Sequence, residues 1–201
     1  MQQNIILQNR KGNEMDYIAH YLSPLGGITI ASDGQALTGL WFDGQKYFVD
    51  TLGKEREKTV KVEDVSLQDS KCPLYQTKRW LDLYFSGKNP DFTPPLHMKT
   101  TEFRKAVWEI MLAIPYGETM TYGEIAEKIA KQRGIARMSA QAVGGAVGHN
   151  SISLIIPCHR VVGTNGSLTG YAGGIEKKIQ LLNLEKVDMT KFFIPKKGTE
   201  L

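Results

Sequence analysis

The sequence predicts an α/β (α+β) amino-terminal domain followed by an all-helical carboxy-terminal domain. Three observations lead to this fold class. Short β-rich runs lie in the first half, helical spacing of apolar residues dominates the second half, and a stretch rich in proline and glycine separates them at residues 87–95. We therefore expect domains at residues 1–95 and 96–190 and a tail at residues 191–201.

Strand signals come first along the chain. The runs Ile28–Ser32 and Leu37–Phe42 flank Asp33-Gly34, a dipeptide that favours tight turns between antiparallel strands, so a hairpin is predicted. Residues 1–16 are polar and mixed, which indicates an extension or a first strand. A further short strand is expected at residues 59–62, within a charge-rich segment.

Helix signals begin at Pro73, because proline suits the first turn of a helix. Cys72, directly before it, is interpreted as a helix-start or packing residue. A second helix with apolar residues at 3–4 spacing follows and is expected to end at Pro115-Tyr116-Gly117. The apolar positions of these two helices are Leu74, Trp80, Leu81, Tyr84 and Phe85, and Phe103, Val107, Ile110, Met111 and Ile114.

A helix-turn-helix arrangement is predicted next. Thr121 and Glu124 have the spacing of a capping box, which places the start of a helix near Tyr122. After the basic stretch at residues 131–137, Ser139 can cap another helix. Two short helices joined by such a turn are typical of DNA-binding proteins.

Charge is distributed unevenly between the two halves. Residues 97–201 carry 14 Lys and Arg against 9 Asp and Glu, whereas residues 1–96 carry 11 against 12. A basic half beside a nearly neutral half suits one domain that contacts a polyanion.

Cysteine and histidine usage limits the class of protein. The two cysteines are far apart and build no disulfide framework, which favours the reducing cytoplasm. Neither they nor the four histidines have the spacing of zinc ligands, so no metal is expected. No apolar run approaches the roughly 18 residues of a membrane helix, and the first residues lack the pattern of a secretory signal.

Pro157-Cys158-His159-Arg160-Val161 follows the apolar run at residues 152–156. Cys158 is therefore expected in a short turn at the end of a buried extended segment. A thiol reacts as the thiolate, so a reactive cysteine needs a group that lowers its pKa or takes its proton. An imidazole comes next in the chain. Taken alone, the pair also fits a buried structural cysteine, because neighbours on an extended chain point to opposite faces.

The wider pattern is more specific. With Asn150 eight residues before the cysteine and the glycine-rich segment at residues 163–174 after it, the sequence resembles the methylated-DNA–protein-cysteine methyltransferases, also called 6-O-alkylguanine-DNA alkyltransferases. The resemblance is continuous from about residue 101 to residue 185 and weaker over residues 21–87. It implies a ribonuclease-H-like amino-terminal domain and a winged helix-turn-helix-like carboxy-terminal domain.

The resemblance implies DNA repair by direct reversal. An alkyl group of 6-O-alkylguanine, and also of 4-O-methylthymine, in duplex DNA would move to Cys158 after the damaged nucleotide is flipped out of the stack. The S-alkylcysteine product is a stable thioether, so each molecule acts once. No cofactor is implied, the partner is double-stranded DNA, and a monomer is expected.

The resemblance also assigns roles. Cys158 is the nucleophile and His159 the base, acting through a water because direct contact from an adjacent residue is awkward. Glu185 orients the histidine, as the third member of a triad does. Tyr122 donates a proton or hydrogen bond to the departing guanine. Asn150 ties together the turn before the cysteine. From the residues alone, Glu185 could equally be solvated at a helix end and Tyr122 a half-buried aromatic.

A substrate pocket and a DNA surface are implied as well. The residues expected around the flipped base are Val161, Tyr171, Ala172 and Gly173, whereas Arg160 is expected to be structural. The helix after Ser139 is expected to enter the minor groove, although its small residues would also suit packing against another helix. Its expected DNA contacts are Gln141, Ala142, Gly144, Gly145, Val147 and Gly148.

The sequence departs from the family pattern at two positions, and three alternative functions remain. Many relatives carry arginine at the position of Gln141, so we expect flipping to persist with weaker DNA affinity. Proline is frequent at the position of Ser151, where serine is expected to soften the loop without removing activity. One alternative is a non-catalytic alkylated-DNA-binding protein, which the intact Cys158 disfavours. Another is a thiol hydrolase, but such enzymes bring a distant histidine to the cysteine. A fused transcriptional sensor is disfavoured, because neither an additional DNA-binding domain nor a zinc-type cysteine set is found in the sequence.

Overall fold

A computed structural model describes residues 16–50, 52, 59–61 and 70–195. The first part contains strands β1 (Asp16–Ser23), β2 (Gly26–Ser32), β3 (Leu37–Phe42) and β4 (Thr59–Lys61) and helix α1 (Pro73–Phe85). The second part contains α2 (Glu102–Leu112), β5 (Met120–Thr121), α3 (Tyr122–Arg133), α4 (Ala140–Gly148), β6 (Val161–Val162) and α5 (Ile175–Leu184). Short 3-10 turns lie at Cys158–Arg160, Thr164–Gly166 and Met189–Lys191.

The amino-terminal sheet has the strand order β3-β2-β1-β4. Its first three strands are antiparallel, with Ala19 opposite Ile30 and Ile30 opposite Leu40, and β4 runs parallel to β1. The predicted hairpin of β2 and β3 is confirmed, and so is the short strand near residue 59. Asp16, the first described residue, already belongs to β1, and the prediction for residues 1–15 lies outside the described residues.

Helix α1 covers this sheet. Pro73 occupies its first turn, as predicted, and Cys72 precedes it in an extended conformation. The apolar face buries Leu74, Leu81 and Tyr84, each 3% exposed or less. Helix α1 contacts β1, β2 and β3, so its buried side chains pack against one face of the sheet.

The carboxy-terminal domain is helical, as predicted. The capping box is present: Thr121 Oγ1 accepts from the Glu124 amide over 3.1 Å, and Glu124 Oε2 accepts from the Thr121 amide over 2.7 Å. Ser139 caps α4 in the same way through the Ala142 amide. One strand pair adds to the helices, because β5 and β6 run parallel to each other.

The two domains share one apolar core that includes Leu40, Leu81, Trp108 and Ile156. Leu40 of β3 exchanges hydrogen bonds with the segment before Cys158, donating to Ser151 and accepting from Ser153, both over 2.8 Å. The expectation of an extended segment at residues 152–156 is wrong. Only Ile152 forms a strand-like bridge, and the chain then turns, because Leu154 adopts φ 69° and the amide of Ile156 donates back to the carbonyl of Ile152.

The start of the predicted tail docks on the carboxy-terminal domain. The carbonyl of Phe193 accepts from the amide of Leu168 over 2.8 Å, and the amide of Phe193 donates to the carbonyl of Gly166 over 3.1 Å. Residues 196–201 lie outside the described residues. Among the helices that the structure describes, none is long and apolar enough to cross a membrane.

The capping box makes a prediction about stability. Thr121→Ala removes the side-chain acceptor of the Glu124 amide and should lower the free energy of unfolding by about 1 kcal/mol. Thr121→Ser keeps an oxygen at this position and should recover most of the loss. Urea unfolding of both variants checks this, and an unchanged midpoint for Thr121→Ala would show that the cap contributes nothing.

Candidate active site

Cys158 begins a 3-10 turn directly after Pro157. Its side chain is 4% exposed, and Sγ accepts a hydrogen bond from Asn150 Nδ2 over 3.2 Å. Burial raises the pKa of the thiol above its usual value, and the hydrogen bond from Asn150 and the positive charge of Lys178 oppose this rise. The resting side chain is therefore a neutral thiol that needs a base before it reacts.

Asn150 holds the turn that carries this cysteine. Its Nδ2 also donates to the carbonyls of Ile156 and Ile152, over 2.7 and 3.4 Å, and its Oδ1 accepts from the amide of Ile152 over 3.0 Å. The side chain thus spans the turn and reaches the sulfur. This geometry agrees with the expectation that Asn150 ties the turn between α4 and the cysteine. The hydrogen bond to Sγ is a further contact that the sequence spacing did not predict.

His159 is completely buried. Its Nε2 lies 2.6 Å from Glu185 Oε1, and since an ionised carboxylate only accepts, Nε2 carries the proton. Nδ1 is buried and has no hydrogen-bond partner among the described residues. Burial lowers the pKa of the imidazole, against the opposing effect of Glu185. At neutral pH the ring is therefore neutral, with Nδ1 as its basic nitrogen.

Glu185 ends α5 and is 2% exposed. Its Oε2 accepts from Arg160 Nε over 2.8 Å and from the Gly117 amide over 3.1 Å, while Oε1 accepts from Arg160 Nη2 over 3.0 Å besides His159. Despite burial, these donors hold the pKa of the carboxyl well below its usual value. Arg160 also donates to the carbonyl of Ile114 over 2.7 Å, which agrees with its expected structural role.

Two buried residues of the site were missed from the sequence. Tyr84 of α1 donates to Glu185 Oε1 over 2.7 Å. Lys178 of α5 donates to the carbonyls of Val161 and Thr169 over 2.6 and 2.9 Å, and burial lowers its pKa to about 8. Lys178 interrupts the apolar face of α5 one turn before the buried Leu181. A lysine at an apolar position of a helix is a sequence signal that could have identified it as a site residue. The helical period predicts Tyr84 as a core residue and gives no signal for its contact with Glu185.

Two of the predicted pocket residues, Tyr122 and Tyr171, lie close enough to Cys158 to interact with its charge. Tyr122 is half-buried, and burial raises its pKa to about 12, so it remains a hydrogen-bond donor. Tyr171 is 7% exposed, and its hydroxyl lacks a partner within the part of the chain described. A Cβ at Gly173 would lie 2.8 Å from the Tyr171 ring, so a larger residue there would force the ring to shift. The carbonyl of Ala172 accepts from the Lys46 amide over 3.1 Å.

Helix α4 presents a narrow exposed face. Gln141, Ala142 and Gly145 are exposed, and Gly144 is half-buried against the ring of Tyr122. Val147 is 3% exposed and Gly148 is buried as well. The expectation that these two residues contact DNA is not met in this conformation, because the period of the helix turns them towards the core.

The described residues contain no group of three or more His, Cys, Asp or Glu side chains that could hold a metal ion. The reactive groups at the site are a buried thiol, a neutral imidazole and an ionised carboxylate, supplied by Cys158, His159 and Glu185.

Comparison with known families decides what this arrangement belongs to. Residues 17–98 match the family described as 6-O-methylguanine DNA methyltransferase, ribonuclease-like domain, and residues 102–187 match the DNA binding domain of the same proteins. The chain belongs to the methylated-DNA–protein-cysteine methyltransferase family. Both predicted parts of the fold, a small ribonuclease-like sheet domain and a helical DNA-binding domain, are confirmed.

Individual members of the family resemble the chain over most of its length. A methylated-DNA–protein-cysteine methyltransferase of Mycobacterium bovis is 41% identical over 174 residues, which cover 85% of this chain and 94% of that protein. The Haemophilus influenzae protein is 37% identical over 186 residues, 92% of this chain and 91% of that protein.

Solved structures of related proteins also resemble the chain. The Mycobacterium tuberculosis O6-methylguanine methyltransferase has a TM-score of 0.69 and 39% identity, covering 86% of this chain and 93% of that chain. The same bacterial protein in complex with DNA has a TM-score of 0.69 and 38% identity, covering 88% of this chain and 94% of that chain.

The buried carboxylate makes a second prediction. Glu185→Gln leaves Arg160 without its counter-charge and should lower the free energy of unfolding at pH 7 by about 3–5 kcal/mol. Because folding lowers the pKa of Glu185 from 4.5, its stabilisation is present above about pH 4.5 and is lost as the pH falls. The variant should therefore lose part of the acid dependence of unfolding.

Urea unfolding at several pH values from about 3 to about 7 measures both the loss of stability and the change in its acid dependence. Glu118→Gln is the matched control, because Glu118 is exposed and its replacement should change stability by less than about 0.5 kcal/mol. Equal stability of the two variants at pH 7 would contradict the prediction.

Proposed function

We propose that this protein repairs alkylated DNA by transferring the alkyl group of 6-O-alkylguanine to Sγ of Cys158, once per molecule. The observation that carries the proposal is a buried thiol followed directly by an imidazole that a buried carboxylate holds by a hydrogen bond. Cys158 is a buried, neutral thiol, the next residue offers a basic Nδ1, and Nε2 of that ring is held by Glu185 over 2.6 Å. This is the arrangement that activates a nucleophile on demand.

The transfer balances as a displacement at carbon. The thiol proton passes through a water to Nδ1 of His159, and Sγ forms a bond to the alkyl carbon. The bond from that carbon to the guanine oxygen breaks, and its electron pair stays with the guanine. Tyr122 donates a hydrogen bond to the departing base, since its raised pKa keeps the phenol protonated.

The pocket residues receive complementary roles. The amide of Ala172 faces the leaving oxygen, and Tyr171 forms the wall of the pocket. The carbonyl of Val161 accepts a hydrogen bond from the exocyclic amine of the guanine. The same carbonyl already accepts from Lys178 over 2.6 Å. A carbonyl oxygen has two lone pairs and can accept both donors.

DNA binds along the exposed face of α4, with the damaged nucleotide flipped into the pocket. Gln141, Ala142 and Gly145 face solvent there, and Gly144 joins this face to Tyr122. Small residues permit close approach to a groove of the duplex, which supports minor-groove binding. The relative from Mycobacterium tuberculosis has been solved in complex with DNA. We infer that the protein acts as a monomer on duplexes with alkylated bases.

We infer a cytoplasmic location, because the reaction requires a reduced thiol. Cys72 and Cys158 are both free in the described part of the chain. A reducing compartment keeps such thiols available for alkyl transfer.

Mass spectrometry of the intact protein tests the proposed function. Incubation with a duplex that carries one 6-O-methylguanine should add one methyl group per molecule, and peptide mapping should place it on Cys158. Cys158→Ser should gain nothing, because a serine hydroxyl is a far weaker nucleophile at neutral pH. The matched control, Cys72→Ser, should be methylated like the wild type.

Two results would contradict the proposal in different ways. Tight binding of the damaged duplex without a mass gain would make the protein a damage-recognition protein, the alternative that the sequence left open. Methylation of Cys72, or a gain of more than one methyl per molecule, would show that Cys158 is not the single acceptor.

A further prediction concerns Gln141. Arginine at this position adds a positive charge and a longer side chain beside the duplex, so Gln141→Arg should bind DNA about 3- to 10-fold more tightly at low salt, an amount expected for one added phosphate or base contact. Fluorescence anisotropy with an undamaged and a damaged duplex measures the affinity, and rapid quench measures the transfer rate. Unchanged affinity and rate would show that residue 141 does not approach the DNA.

A further inference from the structure

Tyr84 connects the amino-terminal domain directly to the proton-transfer residues. It lies on α1, is fully buried, and donates to Glu185 Oε1 over 2.7 Å although the two residues are 101 positions apart. The same hydroxyl lies 3.3 Å from Nε2 of His159. One phenol oxygen therefore touches both the base and the carboxylate that orients it.

Three donors share one carboxylate oxygen. Oε1 of Glu185 accepts from Tyr84, from Nε2 of His159 over 2.6 Å and from Arg160 Nη2 over 3.0 Å. An oxygen of a carboxylate has about two lone-pair sites, so the donors compete for its electron density. Negative charge that the phenol draws from Oε1 is no longer available to strengthen the bond to the imidazole.

The ring of Tyr84 has little freedom to move its hydroxyl elsewhere. It stacks on Trp80 with centroids 5.1 Å apart and meets Tyr116 edge-on at 6.1 Å. The ring of His159 meets it edge-on at 6.3 Å. Because a locked side chain loses little further entropy, the hydrogen bond to Glu185 has a defined geometry.

We propose that Tyr84 is a positioning residue for alkyl transfer, which sets the orientation and basicity of His159 through Glu185. This inference rests on the proposed function, in which His159 takes the thiol proton. Removal of the phenol would concentrate more negative charge on Oε1, and the imidazole would hold its proton more strongly. The base would then be neutral only at a higher pH than in the wild type.

Other ionisable groups also face the imidazole. Arg160 and Lys178 lower the pKa of His159, and Glu185 raises it. The remaining titratable neighbours are Cys158 before it in the chain and Tyr171 from the pocket loop, while Tyr116 packs against Tyr84 and interacts with Glu185. Tyr84→Phe leaves all of these side chains in place and removes only the phenol hydroxyl from Glu185, so a shift of the His159 pKa in this variant reports the loss of that hydrogen bond.

The test measures the rate constant of single-turnover transfer as a function of pH. For Tyr84→Phe, the acidic limb of the profile should move upward by about 0.5 to 1 unit, so the rate below the midpoint should fall roughly 3- to 10-fold. The control is Tyr75→Phe on the same helix, about 13 Å along its axis, with an expected profile like that of the wild type. NMR titration of His159 in the free protein should show the same upward shift.

Tyr84→3-fluorotyrosine keeps the ring and the hydroxyl and makes the phenol a stronger donor. It should shift the acidic limb downward, and it tests the proposal even if Tyr84→Phe does not fold. An unchanged pH profile would overturn the proposal, and so would an equal loss of rate at all pH values with an unchanged His159 titration. If the wild type transfers no alkyl group, the proposed function fails, while the NMR titration still decides the role of Tyr84.

Discussion

The charge of Glu185 governs how the elements around the site are arranged. A carboxylate buried in a protein interior is costly unless hydrogen bonds and counter-charges satisfy it. The donors come from α1 (Tyr84), from the turn before β5 (Gly117), and from the turn that begins at Cys158 (His159 and Arg160). Placing this one group therefore brings the ribonuclease-like domain, the helical domain and the cysteine turn to a common point.

The same burial explains why the nucleophile is protected at rest. It raises the pKa of the Cys158 thiol and lowers that of His159, so neither group is charged at neutral pH. A neutral thiol beside a neutral base resists adventitious alkylation and oxidation, because both reactions require the thiolate. For a protein whose cysteine is used only once, this restraint preserves the thiol until a substrate occupies the pocket.

Short contacts connect the exposed face of α4 to the reacting cysteine. Gly144 on α4 lies against the ring of Tyr122, where an added Cβ would be 3.9 Å from the ring, and Asn150 follows the end of α4 and donates to the sulfur of Cys158. The exposed surface of α4 and the reacting atoms are thus separated by single side chains.

The sequence by itself determined the element order, the capping box at Thr121, the hairpin at Asp33-Gly34 and the family, because these depend on local spacing. It did not reveal the turn before Cys158, since an apolar run is compatible with either a strand or a buried turn. Nor did it reveal Tyr84 as a partner of Glu185, because that contact joins residues 101 positions apart. Only tertiary packing decides which buried hydroxyl meets a buried charge, and linear periodicity carries no information about that pairing.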